Sequence, residues 1–389
     1  MNQAAAPRHS TVSIVLAITV SVVAAMVSNT LPAFLAVLAR ARGLSESQSG
    51  LSAMADLGGI AFGMTLCGLL PGLVRRLTWR GTIASGLLLL VAANLLSIWV
   101  TSFEPYLAVR ILAGTGSGIV IAIVYAVLAE GDGARSLAAF NVGQLASASF
   151  AIPFFSKLAE AYGIAILFAI VAGMGAASLL LVPALPRESV RELAAEDRDS
   201  HANETVSLAG WLAIISVLVM FVGVGSLFGF LSYMGAAWGG DPLQVESDVS
   251  KVVFSGMLGA LAVAIVGSRF GYQRPMIIGF ALLLAAAALF AVFKPLAGFL
   301  AVGALFYFAV NVTMTYQFEA VTEIDTTSSA AMLVSAATLG GTAVGPAIAG
   351  YLVTEDYMLV NLLGLVAFAS SLALLLAAQA LHRRQPARA

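Results

Sequence analysis

About twelve apolar stretches of about 20 residues follow one another along this chain, six in each half. The halves repeat. Leu107-Ala108-Val109 recurs as Leu300-Ala301-Val302, Glu130 as Glu323, Pro153 as Pro346, Gly86 as Gly279, and Arg76 as Arg269, an offset of 193 residues. Leu and Ala coincide cheaply in such a sequence, whereas coincident Arg, Glu and Pro do not. A segment of about 20 apolar residues is long enough to cross the hydrocarbon core as a helix. Two like sets of six spans describe a protein whose halves move against each other around a central site.

Charge explains why lipid is the solvent. Only 10% of the 389 residues are charged and 60% are hydrophobic, against roughly 25% charged in soluble domains. A net charge of −1 leaves no excess of Lys and Arg for a phosphate backbone, so nucleic acid is excluded as a partner. The single cysteine, Cys67, has no intrachain partner. The three histidines, His9, His201 and His382, fall in a tail, a loop and a tail, which speaks against a buried metal cluster. No metal, cofactor or catalytic set is expected, and no phosphate-binding loop for ATP is present. Arg8 precedes an apolar run of about 12–38, far longer than the h-region of a signal peptide, so a retained first span is expected.

The expected organisation is an N-terminal six-helix bundle over 1–184, a charged cytoplasmic linker over 185–206, and a C-terminal six-helix bundle over 207–389. The seventh span is expected as one helix at about 207–236. With the N-terminus inside, thirteen Lys and Arg fall on inner loops and tails and five on outer loops. Both termini and the linker are therefore expected in the cytoplasm. Arg40 and Arg42, on the outer side, are the main dissent.

Ser268-Arg269-Phe270-Gly271-Tyr272-Gln273-Arg274-Pro275, between spans 8 and 9, resembles the D-R-x-G-R-R-P turn of the major facilitator superfamily. Gly68 to Arg76, between spans 2 and 3, is a degenerate first copy, and both lack the aspartate. Arg110-x-x-x-Gly114-x-Gly116-x-Gly118 in span 4 resembles the family's R-x-x-x-G-x-G motif. Gly341-x-x-x-Gly345-Pro346-x-x-Ala349-Gly350 in span 11 resembles its antiporter motif, which the family's antiporters carry in span 5, where only Pro153 matches here. The glycines equally suit close helix packing. The resemblance implies an all-α membrane protein of twelve transmembrane helices in two bundles, working by alternating access. A cytoplasmic gate is expected among Arg75, Arg76, Arg80, Glu130, Arg135, Arg269, Arg274, Glu323 and Asp325, whose opposite charges lie in one inner layer.

A charge in the hydrocarbon core costs at least about 2.5–3.5 kcal/mol, so it persists mainly where it has work to do. Asp56 in span 2 and Arg110 in span 4 lie roughly 9–13 Å below the outer ends of their helices, a shared depth that permits an ion pair. Asp56 is the expected proton-coupling residue, and Arg110 the group released to a substrate; a purely structural pair is the alternative. Tyr307, Asn311, Thr315 and Glu319 recur every fourth residue of span 10, with Tyr316 and Gln317 nearby, and form a polar face. Asn29, Asn141, Gln144 and Tyr233 could complete a pocket, with Ser226 and Phe230 beside them.

The expected function is proton-coupled secondary active transport of a small organic compound, by a monomer in contact with membrane lipid. An Arg-rich, Lys-poor, Ala-rich chain points to a bacterial inner membrane. A passive facilitator, a transporter-derived sensor and a multidrug-type efflux antiporter stay open as alternatives, and a membrane enzyme does not.

Overall fold

The computed structural model describes residues 10–70, 74, 76–129, 133–186, 205–267, 269–292, 296–353 and 357–384. Among them the regular structure is helical throughout, and helix starts follow side-chain chemistry. Ser10, Thr78, Ser207, Asp241 and Thr327 each accept a hydrogen bond from the backbone N–H three residues on, satisfying a donor that the first turn leaves free, at about 1 kcal/mol each. The first half contains α1 (Thr11–Ala24), α2 (Met26–Asn29), α3 (Leu31–Arg42), α4 (Glu46–Leu69), α5 (Trp79–Trp99), α6 (Phe103–Ala129), α7 (Gly133–Tyr162) and α8 (Ala165–Leu181). The second contains α9 (Leu208–Gly229), α10 (Leu231–Ala237), α11 (Pro242–Val266), α12 (Gln273–Val292), α13 (Leu296–Ile324), α14 (Ser328–Leu352) and α15 (Met358–Arg384). Eleven of these helices are long and apolar enough to cross a membrane.

Two expected spans are not single helices. The first is divided into α1, α2 and α3, with Ala25 (φ −87°, ψ 5°) and Thr30 (φ −103°, ψ 18°) between the pieces. Pro32 has no N–H to return to the Ser28 carbonyl, which removes a rung of the helix ladder. The Ser28 and Thr30 hydroxyls donate to the carbonyls of Ala25 and Met26 at 2.8 Å each. The seventh span is divided into α9 and α10 at Phe230 (φ −101°, ψ 10°).

Packing sorts the chain into two compact units. Unit 1 comprises Met1–Thr30, Ala55–Ala148 and Leu158–Ser200; unit 2 comprises Leu31–Met54, Ser149–Lys157 and His201–Ala389. Two stretches of first-half sequence therefore belong to the unit that holds the second half. Most of the 185–206 connector lies outside the described residues.

Small residues set the closest approaches in each unit. In unit 1 a Cβ on Gly114 would meet the Asp56 carbonyl, and one on Gly118 the Ile60 carbonyl, so these two glycines let α6 lie directly on α4. In unit 2 Gly341 and Gly345 of α14 stand the same way against the Leu218 and Val222 carbonyls of α9. Helix association in lipid depends on such contacts, because burying apolar surface gains little there. The glycines of both family-like motifs are packing residues.

Asp325, an expected gate residue, braces the start of α9. Its carboxylate accepts from Ser207 N at 2.8 Å and Ser207 Oγ at 2.9 Å, and from Thr327 Oγ1 at 2.7 Å. Burial pushes its pKa up, but the hydrogen bonds from Thr327 and Ser207 together outweigh burial and hold it below the usual carboxylate range. The charged form is thus favoured by folding, so its stabilisation is present above the ordinary aspartate pKa and lost as pH falls through the lower folded value.

Gly118→Val is expected to overpack the contact with α4 and destabilise the protein by about 1–3 kcal/mol. The same change at Gly173, where an added Cβ meets nothing within 4 Å, should leave the melting temperature of the purified protein unchanged. Asp325→Asn is expected to flatten the acid limb of stability: melting curves at about pH 4 and below should separate from neutral pH less in the variant than in wild type.

Candidate functional site

The approach of α4 to α6 brings Asp56 and Arg110 together inside unit 1. Asp56 is 3% exposed and Arg110 1%. Arg110 Nη2 donates to Asp56 Oδ1 at 2.6 Å, and Nε donates to Oδ1 at 2.9 Å and Oδ2 at 3.1 Å. Nη1 turns to α5, donating to Asn94 Oδ1 at 3.1 Å and Ser97 Oγ at 3.3 Å. The guanidinium carbon stands 5.5 Å from the Phe168 ring centroid on α8, within cation–π range, and Tyr106 meets that ring edge-on. Four helices thus enclose one ion pair, and charge-assisted bonds of this kind are the strong ones.

Asn94 and Ser97 escaped sequence reasoning. Each also donates to its own helix, Asn94 Nδ2 to Leu90 O and Ser97 Oγ to Ala93 O, at 2.8 Å each. A polar pair three residues apart on one face of an apolar span is the signal that would have found them.

The other pocket candidates are divided between the two units. Asn29 sits in the broken first span with a buried amide nitrogen that has no partner. Asn141 and Gln144 on α7 are exposed and half-buried. In unit 2 the α13 stripe does form one face. Tyr307 stacks on Phe228, ring centroids 5.0 Å apart, and Gly256 of α11 leaves room for Tyr307 and Asn311. Thr315 and Glu319 further along are exposed. Gln317, off the stripe, is fully buried; its amide nitrogen donates to Ser216 Oγ at 3.0 Å and Ser371 Oγ at 3.2 Å, while its oxygen has no partner. Tyr316 donates to Gly267 O at 3.0 Å and closes the end of α11. Tyr233 donates to Leu35 O at 3.0 Å and Ser49 Oγ at 2.8 Å, so it ties α10 to α3 and α4.

Of the expected gate residues, Arg75, Glu130 and the side chain of Arg135 lie outside the described residues. Arg80 donates from Nε to Leu185 O at 2.8 Å and closes the end of the α8 region. Arg76, Arg269 and Arg274 are exposed. Glu323 neighbours Tyr272, whose phenol is pushed up by burial and by that carboxylate. Within each unit no described member of the set pairs with a member of opposite charge. Arg274 borders an apolar groove of about 420 Å³ between α11, α12 and α13, with Val263, Phe270 and Ile278 in its walls.

A buried carboxylate that sequence reasoning passed over, Glu246 of α11, is 1% exposed and accepts from Ser232 Oγ at 3.0 Å. Its place one turn from a helix start reads in sequence as a solvated end. Among the described residues no group of three or more His, Cys, Asp or Glu is placed to hold a metal ion.

No family model matches this sequence. No curated protein matches it either. Solved structures do match, over nearly the whole chain. A D-xylose-proton symporter superposes with a TM-score of 0.72 at 16% identity, covering 92% of this chain and 95% of that one. The nucleoside transporter NupG gives 0.68 at 14%, covering 96% and 98%. The inward open xylose transporter XylE from E. coli gives 0.70 at 15%, covering 92% and 94%. The superposition extends over nearly the whole of each chain, so this chain has the fold of these transporters, the major facilitator fold.

Proposed function

We propose that the protein is a secondary active transporter that moves a small polar or anionic organic compound across the membrane by alternating access, coupled to protons. The observation that carries this reading is the Asp56–Arg110 pair, enclosed by Asn94, Ser97 and Phe168. Two charges taken out of water seldom stabilise a fold more than apolar residues of the same size do, so their presence in an apolar bundle calls for a use. The likeness to a D-xylose-proton symporter and a nucleoside transporter supports transport of a polar solute.

The chemistry follows from the pair. While Arg110 holds Asp56, the carboxylate stays charged and the guanidinium is spent. When α4 and α6 rearrange and the contacts lengthen, Asp56 loses its counter-charge and binds a proton, as a desolvated carboxyl does. Arg110 is then free to hold a carboxylate, phosphate or hydroxyl of the substrate. Within unit 1, Asn29, Asn141 and Gln144 are the further polar groups offered to the solute. The moving parts are two six-helix bundles, 1–184 and 207–389, joined by a cytoplasmic linker, in a bacterial inner membrane with both termini inside.

A structural brace is the second reading, favoured by the near-complete burial of Arg110. Proteoliposomes screened with small polar compounds under an imposed inward proton gradient are expected to accumulate one of them, and a protonophore should collapse the accumulation. Accumulation indifferent to the protonophore contradicts coupling. In melting experiments Arg110→Gln alone, which leaves a buried charge unpaired, should cost about 3–5 kcal/mol, and Asp56→Asn with Arg110→Gln distinctly less. A double variant that melts normally but transports nothing excludes a brace.

A further inference from the structure

The Asp56 site leaves a second buried carboxylate unused. Asp56 has Arg110, Asp248 has Lys251 at 2.7 Å, and Asp325 has the hydrogen bonds of Ser207 and Thr327. Glu246 has one neutral donor, Ser232 Oγ, and forms no ion pair among the described residues. The elements packed around this part of α11 include α3, α10, α13 and the 149–157 part of α7, where Ser250 Oγ of α11 donates to Ser149 O and Lys157 is the one titratable side chain. α3 brings Arg40, whose field reaches Glu246 without contact. α10 brings Ser232, while the phenol of the adjacent Tyr233 is bonded to Leu35 O and Ser49 Oγ. The adjoining part of α13, Leu296 to Phe306, has no titratable side chain. On α11 itself, Asp248 is held by Lys251 and by Gln244 at 3.2 Å. A carboxyl so enclosed, with one neutral donor and no ion pair among the described residues, has proton exchange as its remaining way to adjust charge.

What surrounds Glu246 makes that exchange consequential. Its partner Ser232 and the adjacent Tyr233 lie on α10, a seven-residue helix that starts at the break at Phe230. Tyr233 in turn holds the Leu35 carbonyl and the Ser49 hydroxyl. A hydroxyl bond to a carboxylate is about twice as strong as one to a neutral acid, so the charge on Glu246 is felt through α10 at the 31–54 segment.

We propose that Glu246 is a proton-binding site separate from Asp56, whose charge sets how firmly α10 holds the 31–54 segment. It goes beyond the transport reading and does not require it. Infrared difference spectra of the full-length protein in proteoliposomes, recorded between acid and alkaline buffer, test it. A protonated-carboxyl stretching band is expected that titrates in wild type, disappears in Glu246→Gln and persists in Asp56→Asn. Ser232→Ala, which leaves the carboxyl in place, should keep the band and displace its midpoint by about one unit. A band identical in wild type and Glu246→Gln, or a midpoint indifferent to Ser232→Ala, overturns the proposal. Absence of any transport activity alongside a Glu246-dependent band overturns the transport reading alone.

Discussion

A carboxylate and a guanidinium enclosed in an apolar bundle have no good partner except each other. That constraint organises unit 1. Asp56 and Arg110 meet because α4 and α6 touch backbone to backbone, and the helices touch because Gly114 and Gly118 carry no side chain where the Asp56 and Ile60 carbonyls lie. Asn94 and Ser97 take up the donors that Asp56 leaves over. Phe168 covers the guanidinium face. Each of these residues matters because an unpaired buried charge costs several kcal/mol, by an order-of-magnitude reckoning.

Unit 2 satisfies its polar groups differently. Its interior is bridged by neutral contacts: Gln317 to Ser216 and Ser371, Ser226 Oγ to Gly345 O at 2.9 Å, and Asn361 Nδ2 to Phe290 O at 3.1 Å. The most deeply buried carboxylate among the described residues of unit 2, Glu246, lies near a helix start rather than in mid-helix. The repeat in the sequence recurs as helices and as the close-packed Gly86 and Gly279, one in each unit, while the charges break it. Arg110 corresponds at the repeat offset to Gly303, which itself accommodates Val252. Charge in one half and a close-packed glycine in the other is the asymmetry expected of a frame duplicated before its halves specialised.

Much of the fold was legible because lipid imposes a simple rule: apolar length sets span number and position. Mid-span breaks were not, because Thr30 and Phe230 interrupt helices without interrupting apolarity, and the proline beyond Thr30 is tolerated inside many membrane helices. The ion pair was legible because two charges at one depth stand out against an apolar background. Asn94 and Ser97 were not, since lone Asn and Ser residues commonly bond within their own helix. Asp325 and Arg80 were read as gate residues by sign and layer. The partners they have within their own units, the Leu185 carbonyl for Arg80 and a helix start at Ser207 for Asp325, depend on how loops fold back, which charge patterning does not encode.

The account rests on Asp56 carrying the proton that couples transport, and exchange without a gradient separates that role from solute binding. Reconstituted Asp56→Asn is to be compared with wild type for counterflow, in which labelled solute exchanges for unlabelled solute across vesicles at uniform pH. The account predicts that the variant keeps counterflow and loses accumulation driven by a pH gradient. Accumulation retained at the wild-type level would contradict it.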